Sequence, residues 1–466
     1  WLIDAEDPII RHWARSGVKP QSAGRFYAGL NHELRKLGLR VDDFIGRSGI
    51  EAVFETLMRG KRGRRIVERD VHNRSRSVLG EVMFEPGHDV YLSIDSKLQR
   101  ILEEEFNRQR GAAVFLDVHT GEVLAAGSFP LFDPNDLVPP VSAATARRLY
   151  QSPTPALNRA INSAYALGSI FKLLTSICIL EEAAISPTSE VTCRGSLNPD
   201  QPNWFRCWSR WGHGSIAIKD AIKRSCNIFY FKNADRVGQA PLLKWSKEFE
   251  YGVRTGSEMR RYEHAGLLPT PEWKRQRTDR IWYPGDTRNL SIGQGSLLVN
   301  PLQVSRMIAA IANGGILVTP RFVRSVMDSK GRRINSRQAV PVRQSRRLPI
   351  SHRTLAAIRE GMVAAVNEPG GTGFNAFDEA TLPYRIAGKT STAQTRSSEG
   401  NIGWFAGFAP EDKPRIAFAI VCEGLIRAAE HGGHEEHGGD VAAPIVRRVL
   451  ERYESSKNQW VVSGEQ

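Results

Sequence analysis

Ser169 and Lys172 are of the types, and at the spacing, that a nucleophile and its base require. On a helix, residues at i and i+3 lie on one face, so the two side chains can meet. The lysine is followed by Leu173 and Leu174, which should limit its contact with water. Because burial disfavours the ammonium form, the pKa of Lys172 should fall until the amine can accept the serine proton. Such a pair is common by chance, and a helix start with a snorkelling lysine is the alternative.

Two other short motifs follow further along the chain. Ser225 and Asn227 stand two apart in "RSCNIFY", and Lys389 begins the "KTS" of the strand-like "AGKTSTAQ". The motifs S-x-x-K, S-D-N and K-T-G occur together in the serine β-lactamases and the penicillin-binding proteins. Here they read S-x-x-K, S-C-N and K-T-S in the same order. The combination is specific, and it favours the catalytic interpretation of the first pair.

On these motifs the chain resembles the class B penicillin-binding proteins, which are peptidoglycan D,D-transpeptidases, and most closely the elongation-type penicillin-binding protein 2. The likeness runs over residues 87–453 and includes "TGEVLAAGSFPLFDPN", "FRCWSRWGHG" and "GWFAGFAP". The "GRSGIE" that begins at Gly46 resembles part of the non-catalytic pedestal of these proteins. The resemblance therefore implies a membrane-proximal pedestal followed by a transpeptidase domain.

The resemblance also implies roles for the motif residues. Ser169 would attack the carbonyl of the penultimate D-alanine of a stem peptide, and Lys172 would take its proton. Ser225 would relay a proton to the leaving amine, Asn227 would bind the substrate backbone, and Lys389 would supply positive potential. A second stem peptide's amine would then attack the acyl-enzyme, and β-lactams would acylate the same serine.

The third motif departs from the family at its last residue, where Ser391 replaces the usual glycine. The resemblance implies that Thr390 and Ser391 bind the substrate's terminal carboxylate, and that the backbone N–H groups of Ser169 and Thr392 form the oxyanion hole. An extra hydroxymethyl group at 391 could narrow the groove. We expect reduced but real acylation of Ser169 by β-lactams, and a pseudoenzyme if the groove is closed.

A second group of residues could bind a metal ion. Cys193, Cys207, His213 and Cys226 follow one another at intervals of 14, 6 and 13 residues, and three thiolates with one imidazole complete a tetrahedral zinc site. The resemblance supports this interpretation, because some elongation-type relatives bind zinc through two Asp, one His and one Cys at similar intervals. A Cys193–Cys207 disulfide and unlinked thiols are the alternatives. A zinc ion here would be structural, since the serine chemistry requires no cofactor.

The order of predicted elements indicates an α+β fold. Strands near "DVYLSID" and "GAAVFLDVHTGEVLAAGS" precede a long helical middle, and strands "YRIAGKTSTAQ", "NIGWFAGFAP" and "RIAFAIVCEG" follow it. This order implies a mainly antiparallel central sheet with helices on both faces. We predict a pedestal over residues 1–85, possibly incomplete, a transpeptidase domain over 86–455 and a C-terminal tail over 456–466.

The amino-acid composition and the chain's first residue indicate where the protein is located and which partners it lacks. The 466 residues carry 64 Lys and Arg against 50 Asp and Glu, a net charge of +14, which indicates anionic surroundings. No nucleic-acid-binding motif is present, so we expect no nucleic acid partner. No apolar run is long enough to span a bilayer, and the chain begins at Trp1. We expect a fragment whose single membrane anchor precedes it, with the catalytic domain in the periplasm.

The expected partners follow from the resemblance: stem peptides and lipid-linked precursors, β-lactams, and a membrane glycosyltransferase and cell-shape proteins contacting the pedestal. Three other functions stay open. One is a β-lactamase or β-lactam sensor, which the pedestal-like residues 1–85 disfavour. Another is a catalytically weak or silent scaffold of the elongation complex, for which Ser391 is the best support. The third is a division-type or sporulation-type transpeptidase.

Overall fold

The computed structural model describes residues 45–106, 109–138, 140–151, 154–182, 185–201, 203–334, 342–394, 400–426 and 436–462, with side chains to residue 457. Residues 1–44 of the predicted pedestal and 463–466 of the predicted tail lie outside this range. Contacts divide the chain into two compact units, residues 1–91 with 325–340, and residues 92–324 with 341–466. Among the described residues, no helix combines the length and the apolar character needed to cross a bilayer.

The first unit contains one helix, a hairpin and a small sheet in its described part. Its elements are α1 (Gly49–Met58), β1 (Arg64–Arg69), β2 (Ser75–Val82), β3 (Asp89–Leu92), β9 (Val323–Met327) and β10 (Arg333–Ile334). In α1, Phe54 is the buried residue. Residues 325–340 fall within the range predicted for the catalytic domain but belong to this unit, because β9 lies between β10 and β3 in one sheet.

The second unit is built around a five-stranded antiparallel sheet in the order β12-β13-β14-β4-β5. Its strands are β4 (Arg110–Asp117), β5 (Val123–Phe129), β12 (Ala387–Ala393), β13 (Asn401–Ala409) and β14 (Ile416–Leu425). Short strands are β6 (Val191–Cys193), β7 (Gly214–Ile216), β8 (Ile316–Leu317) and β11 (Arg346–Arg347). The first two long strands form the predicted hairpin, whose turn is fixed by Asp117 Oδ1 accepting from the backbone N–H groups of His119 and Thr120.

The helices of this unit are α2 (Ser96–Glu105), α3 (Ala143–Tyr150), α4 (Phe171–Glu182), α5 (Ile218–Lys223), α6 (Asn227–Val237), α7 (Gln239–Glu248), α8 (Pro271–Thr278), α9 (Pro284–Ser291), α10 (Pro301–Ala312), α11 (His352–Asn367), α12 (Phe374–Phe377) and α13 (Gly438–Val462). Three short 3₁₀ helices span Pro134–Leu137, Gly168–Ile170 and Glu258–Tyr262. The last α-helix continues past residue 455, where the sequence suggests the tail begins.

Both faces of the sheet are covered by helices. Alternate strand residues such as Phe115, Phe405 and Phe418 pack with the apolar faces of α2, α12 and α13 in one core. Since side chains alternate across a strand, the intervening residues face the other side, where α10 contacts β4, β13 and β14. Every residue of α10 is buried. The predicted α+β class, with a mainly antiparallel sheet and helices on both faces, is confirmed.

Candidate active site

The predicted nucleophile lies at the start of the buried helix α4. Gly168, Ser169 and Ile170 form the 3₁₀ turn that leads into it. Gly168 has φ +57°, and a Cβ on it would lie 2.4 Å from Ser391 Oγ, so glycine is required here. Ser169 is half-buried, whereas Lys172 has no exposed surface. The helix therefore presents the hydroxyl near the surface and the amine beneath it.

Lys172 of the first motif forms hydrogen bonds with Ser225 and Asn227 of the second motif. Its Nζ donates to the Ser225 backbone oxygen at 2.8 Å, to Ser225 Oγ at 3.1 Å and to Asn227 Oδ1 at 2.7 Å. Complete burial lowers the pKa of Lys172 to about 8, although the nearby thiols of Cys207 and Cys226 act in the opposite direction. A lysine with this pKa is partly neutral near pH 7 and can act as a general base.

Ser225 adopts an unusual backbone conformation. It has φ +53°, the left-handed region that a residue with a side chain rarely enters and that clusters at functional sites. Cys226 follows in extended conformation, and Asn227 is the first residue of α6. The Ser225 and Asn227 side chains meet Lys172, while Cys226 Sγ lies 3.9 Å from Cys207 Sγ. The side chains of Ser225 and Asn227 therefore contact Lys172, while the side chain of Cys226 contacts Cys207 instead.

The third motif lies on β12, and its lysine is close enough to Lys172 for the two charges to interact. Lys389 is fully buried, and its Nζ donates to the Thr390 backbone oxygen at 3.0 Å. Burial, and then the positive charge of Lys172, hold the pKa of Lys389 well below its ordinary value. Lys172 and Lys389 therefore share one electrostatic environment, and the three motifs converge on one region.

The remaining motif residues differ in accessibility. Thr390 and Ser391 are buried, and Thr392 is half-buried. Thr390 Oγ1 donates to Thr372 Oγ1 at 2.7 Å, and Thr392 Oγ1 accepts from the Gly438 N–H at 3.1 Å. Among the three, Thr392 has the hydroxyl with the most open surroundings.

Ser391 contacts the nucleophile turn. Its Oγ donates to the Leu167 backbone oxygen at 2.9 Å, and the side chain is 3% exposed. A buried carbonyl needs a donor, and the glycine expected at position 391 would provide none from its side chain. The contact between Ser391 and a substrate carboxylate stays a prediction, whereas the structure gives its hydroxyl a partner within the protein.

Two neighbouring residues that the sequence motifs do not include hold the same turn. Trp404 Nε1 donates to the Ala166 backbone oxygen at 3.0 Å. The Gly168 N–H donates to the Gly293 backbone oxygen at 2.9 Å, and a Cβ on Gly293 would lie 2.2 Å from Gly168 O. The "GWFAGFAP" segment contains Trp404, but its sequence gives no sign of this role. Trp404, Ser391 and Gly293 thus form hydrogen bonds with the backbone of the three residues that precede Ser169.

A partly buried ion network holds the residues that precede the turn. Glu423 Oε1 accepts from Tyr165 Oη at 2.6 Å and from Arg159 Nε at 3.0 Å, while Arg110 pairs with its other oxygen at 2.5 Å. Two arginines around one carboxylate leave no uncompensated negative charge. This network attaches Tyr165 to strand β14, and no motif indicated it.

The predicted metal ligands also lie together. One ligand atom from each of Cys193, Cys207, His213 and Cys226 lies within 4.8 Å of the others. His213 Nδ1 is 3.6 Å from Cys193 Sγ and 3.5 Å from Cys207 Sγ. A tetrahedral ion with bonds of about 2.3 Å separates its ligand atoms by about 3.8 Å. All five described cysteines are free thiols, so the spacing fits a metal site better than a disulfide.

Contacts within this cluster act in opposite directions on two of its thiols, since Cys193 and then Cys207 raise the pKa of Cys226 above its ordinary value. Donation from Cys193 and then from Cys226 holds the pKa of the Cys207 thiol well below its ordinary value. Contacts with Cys193 and Cys207 raise the pKa of His213 to about 9. Three sulfurs and one imidazole with ligand atoms this close together are a donor set that fits zinc.

The sequence profile of the penicillin binding protein transpeptidase domain matches residues 111–451. The chain belongs to the penicillin-binding protein family. The profile of the penicillin-binding protein dimerisation domain matches residues 28–92. The family resemblance inferred from the three motifs is therefore confirmed, and the matched ranges lie in the same order as the predicted pedestal and catalytic domain.

Two curated relatives are similar over most of the chain. The peptidoglycan D,D-transpeptidase MrdA of Escherichia coli is 31% identical over 445 residues, covering 91% of this chain and 66% of the relative. The stage V sporulation protein D of Bacillus subtilis is 30% identical over 455 residues, covering 94% and 64%. The chain thus spans slightly less than two thirds of the length of these relatives.

Solved structures of similar proteins have the same fold. PBP2 of Pseudomonas aeruginosa gives a TM-score of 0.74 at 31% identity, covering 88% of this chain and 82% of that one. PBP2 of Helicobacter pylori, in a complex with MreC, gives a TM-score of 0.76 at 28% identity, covering 88% and 72%. These neighbours confirm the penicillin-binding transpeptidase fold and the likeness to penicillin-binding protein 2.

Proposed function

We propose that the chain is a serine D,D-transpeptidase that cross-links peptidoglycan stem peptides during cell-wall elongation. The observation that carries this proposal is the position of Lys172 Nζ. It is buried, lies on the helix that Ser169 precedes, and donates to both Ser225 Oγ and Asn227 Oδ1. A buried amine three residues after a half-buried serine, near one helical turn away, suits serine activation at neutral pH.

The acylation step follows from these contacts. Ser169 Oγ attacks the carbonyl carbon of the penultimate D-alanine, and its proton passes to neutral Lys172 Nζ. The C–N bond to the terminal D-alanine then breaks, and the Ser225 hydroxyl gives its proton to the leaving amine. Lys172 Nζ, 3.1 Å from Ser225 Oγ, returns a proton to Ser225. The products are the serine ester and free D-alanine.

The second step completes the cross-link. The amine of another stem peptide attacks the ester carbonyl, a C–N bond forms, and Ser169 Oγ leaves with a proton. The backbone N–H groups of Ser169 and Thr392 would stabilise the oxyanion in both steps, and one such donor typically contributes about 10²–10³ in rate. β-Lactams carry a strained amide that the same hydroxyl attacks, which makes them inhibitors.

The substrate's carboxylate fits Lys389 and Thr392 best. Burial, and then the charge of Lys172, lower the pKa of Lys389, and a carboxylate beside it would favour the charged form. The Thr392 hydroxyl accepts from the Gly438 N–H at 3.1 Å and lies 3.5 Å from His437 Nδ1, and a substrate carboxylate would take the place of that longer imidazole contact. Thr390 and Ser391 instead donate to Thr372 and Leu167. In this arrangement Ser391 would position the nucleophile, and its replacement of glycine would not close the groove.

We also assign the Cys193, Cys207, His213 and Cys226 cluster to structural zinc. The ion would hold Cys226 and so fix the backbone between Ser225 and Asn227, while the serine chemistry would run without it. Elemental analysis of the purified protein should give one zinc per chain, and thiol counting should find three further reactive cysteines after chelation. A cluster without metal, or a Cys193–Cys207 disulfide, would contradict this assignment.

Location and partners follow by analogy with the relatives. The protein would be attached to the inner membrane by a single upstream anchor, with both units in the periplasm. Its first unit would contact a cell-shape protein such as MreC and a membrane glycosyltransferase. A sporulation role is the second candidate, and the 30% identity to a sporulation protein supports it.

A conditional-depletion strain tests the enzymatic proposal against a scaffold. The chain, expressed with an anchor, should restore growth and rod shape, while the Ser169→Ala variant at equal abundance should not. Growth supported by Ser169→Ala would overturn the catalytic proposal and favour the silent scaffold.

A further inference from the structure

Three tryptophans close together in the chain are exposed. Trp204 is 69% exposed, Trp208 63% and Trp211 97%. Single exposed apolar residues are common on protein surfaces, but clustered ones often mark binding sites, and tryptophan is enriched at binding surfaces. They lie in "NWFRCWSRW", the segment that also supplies Cys207 to the metal cluster. Because these rings are not packed in the core, a binding role would explain their exposure.

The segment alternates between inward and outward side chains. Phe205 packs against the Phe231 ring at 5.4 Å, and Cys207 is buried in the metal cluster. Between them, the backbone is held by an isolated bridge from Ser196 to Arg206. The even positions Trp204, Arg206, Trp208 and Arg210 are all exposed. The segment runs through turns and bends, with Phe205 in the left-handed region at φ +48° and a turn closed by the Gly212 N–H on Ser209 O, so these four exposed side chains are close together in the chain.

These exposed side chains form a surface of indole rings and guanidinium groups. We call it the Trp–Arg face, formed by Trp204, Arg206, Trp208 and Arg210, with Trp211 in the adjoining turn. Among the described residues, neither Arg206 nor Arg210 forms an ion pair, so both charges are available to a ligand. Exposed indoles offer flat apolar surfaces, and the guanidinium groups favour carboxylates.

The Trp–Arg face is connected directly to the catalytic residues. Asn227 Nδ2 donates to the Arg206 backbone oxygen at 3.1 Å. Trp208 Nε1 donates to the Arg224 backbone oxygen at 2.9 Å, immediately before Ser225. The Trp208 ring also packs against His213, with centroids 5.4 Å apart. A ligand on this face would therefore extend from the cleft in which Ser169 is acylated.

We propose that the Trp–Arg face binds the glycan backbone of the peptidoglycan strand whose stem peptide enters the cleft. The inference rests on the proposed transpeptidase function, since that substrate is a sugar polymer bearing acidic peptides. The C–H faces of the N-acetylated hexoses pack on the indole rings, and the arginines pair with stem-peptide carboxylates. Binding the polymer beside the cleft restricts the reacting carbonyl to a small volume, which lowers the entropy cost of the acylation step.

Binding of soluble, uncross-linked peptidoglycan strands to the purified chain tests the proposal. We expect Trp204→Ala combined with Trp211→Ala to weaken strand binding about tenfold, a typical loss for two aromatic anchors. Trp211→Ala removes an almost fully exposed ring, so the melting temperature should stay within about 1 °C of wild type. At position 208 the Trp208→Phe variant is used, because alanine would remove the ring that packs against His213. Tyr150→Ala, an exposed aromatic on α3, should bind strands like wild type.

The two parts of the Trp–Arg face can be separated with modified strands. Strands from which an amidase has removed the stem peptides should still lose affinity in the tryptophan variants. They should show little change in the Arg206→Ala and Arg210→Ala variants, which should weaken only the peptide-bearing strands. Equal strand binding by wild type and the tryptophan variants would overturn the proposal. So would tryptophan variants that lose binding only to anionic phosphatidylglycerol vesicles, since this face would then be a membrane contact.

Labelled penicillin distinguishes failure of this inference from failure of the proposed function. If wild type forms no adduct on Ser169, the transpeptidase proposal fails, whatever the strands do. If wild type is acylated but its strand binding is unaffected by the tryptophan variants, only the Trp–Arg proposal fails. Acylated wild type together with weaker strand binding by the variants supports both.

Discussion

The two sides of the Ser225–Cys226–Asn227 segment are built from opposite kinds of chemistry. On one side, a single buried amine donates to oxygen atoms of Ser225 and Asn227. On the other, Cys226 faces two sulfurs and one imidazole. The amine must exchange a proton and therefore must stay free of permanent bonds. The sulfur cluster can bind a metal ion permanently. Such an ion would fix the backbone of Ser225 and Asn227, which must keep its position while Lys172 exchanges a proton.

The comparison also shows what fixes each side. The catalytic side depends on hydrogen bonds from Trp404 and Ser391 to consecutive carbonyls before Ser169. The sulfur side depends on four ligand atoms brought together from separate parts of the chain. Loss of Lys172 should therefore stop the chemistry, whereas loss of a cysteine should weaken it by loosening the backbone.

The largest effect is expected from Lys172→Ala. Without the buried amine, no base accepts the proton of Ser169, and general-base catalysis typically contributes about 10²–10⁴ in rate. The second-order rate of acylation by a chromogenic or fluorescent penicillin should fall about 10³-fold. Lys247→Ala, which removes an exposed lysine from α7, is the matched control and should acylate normally. Near-normal acylation of Lys172→Ala would place the base elsewhere.

The pH dependence of acylation should follow the same amine. Burial lowers the pKa of Lys172 to about 8, so the neutral base increases as pH rises and is complete above that pKa. At two pH units below the pKa, about 1% is neutral, and the rate should be about a hundredfold below its plateau. Stopped-flow rates between pH 5.5 and 9.5 measure this. A rate that is flat across the range would contradict a lysine base.

Cys226→Ser should separate the structural side from the catalytic side. The variant loses one of four ligands, and we expect zinc content to drop below half an ion per chain. Acylation should slow about tenfold, the lower range for disturbing a metal site's support. Cys178→Ala, a buried cysteine outside the cluster, should keep its zinc. If Cys226→Ser keeps both zinc and rate, the cluster does not support the Ser225–Asn227 backbone.

Ser391→Gly should give the smallest change in the acylation rate. Whether the rate falls or rises distinguishes between two roles of the Ser391 side chain. The variant restores the family's usual residue but removes the donor to Leu167 O, a bond of about 1 kcal/mol. If the hydroxyl positions the turn, penicillin acylation should slow about fivefold. If Ser391 narrows the groove, as the sequence alone suggested, acylation should become faster. Ser391→Thr keeps the hydroxyl and serves as the comparison.

The proposed catalytic residues could be predicted from the sequence, because Ser169, Lys172 and Lys389 belong to short motifs whose order along the chain is specific. The metal ligands were readable only as a spacing, and the structure was needed to bring Cys193 and Cys226 together. The order of strands and helices was also sufficient to predict the α+β class, since helices must cover both faces of an apolar sheet.

The positioning contacts could not be predicted. Trp404 and Gly293 act through backbone atoms of Ala166 and Gly168, and backbone partners leave no residue-type signature. The role of Ser391 was interpreted from the family's glycine as a change in the groove, because strand register alone does not reveal that its hydroxyl meets Leu167 O. The grouping of residues 325–340 with the first unit depends on long-range strand pairing, which local sequence does not encode.

Peptide mapping after incubation with labelled penicillin tests most directly whether Lys172 activates Ser169 in one assembled cleft. Wild type should carry the label on the peptide containing Ser169, with one adduct per chain, and Lys172→Ala should carry almost none after the same time. A label on another residue, or equal labelling of Ser169 in both proteins, would contradict that account.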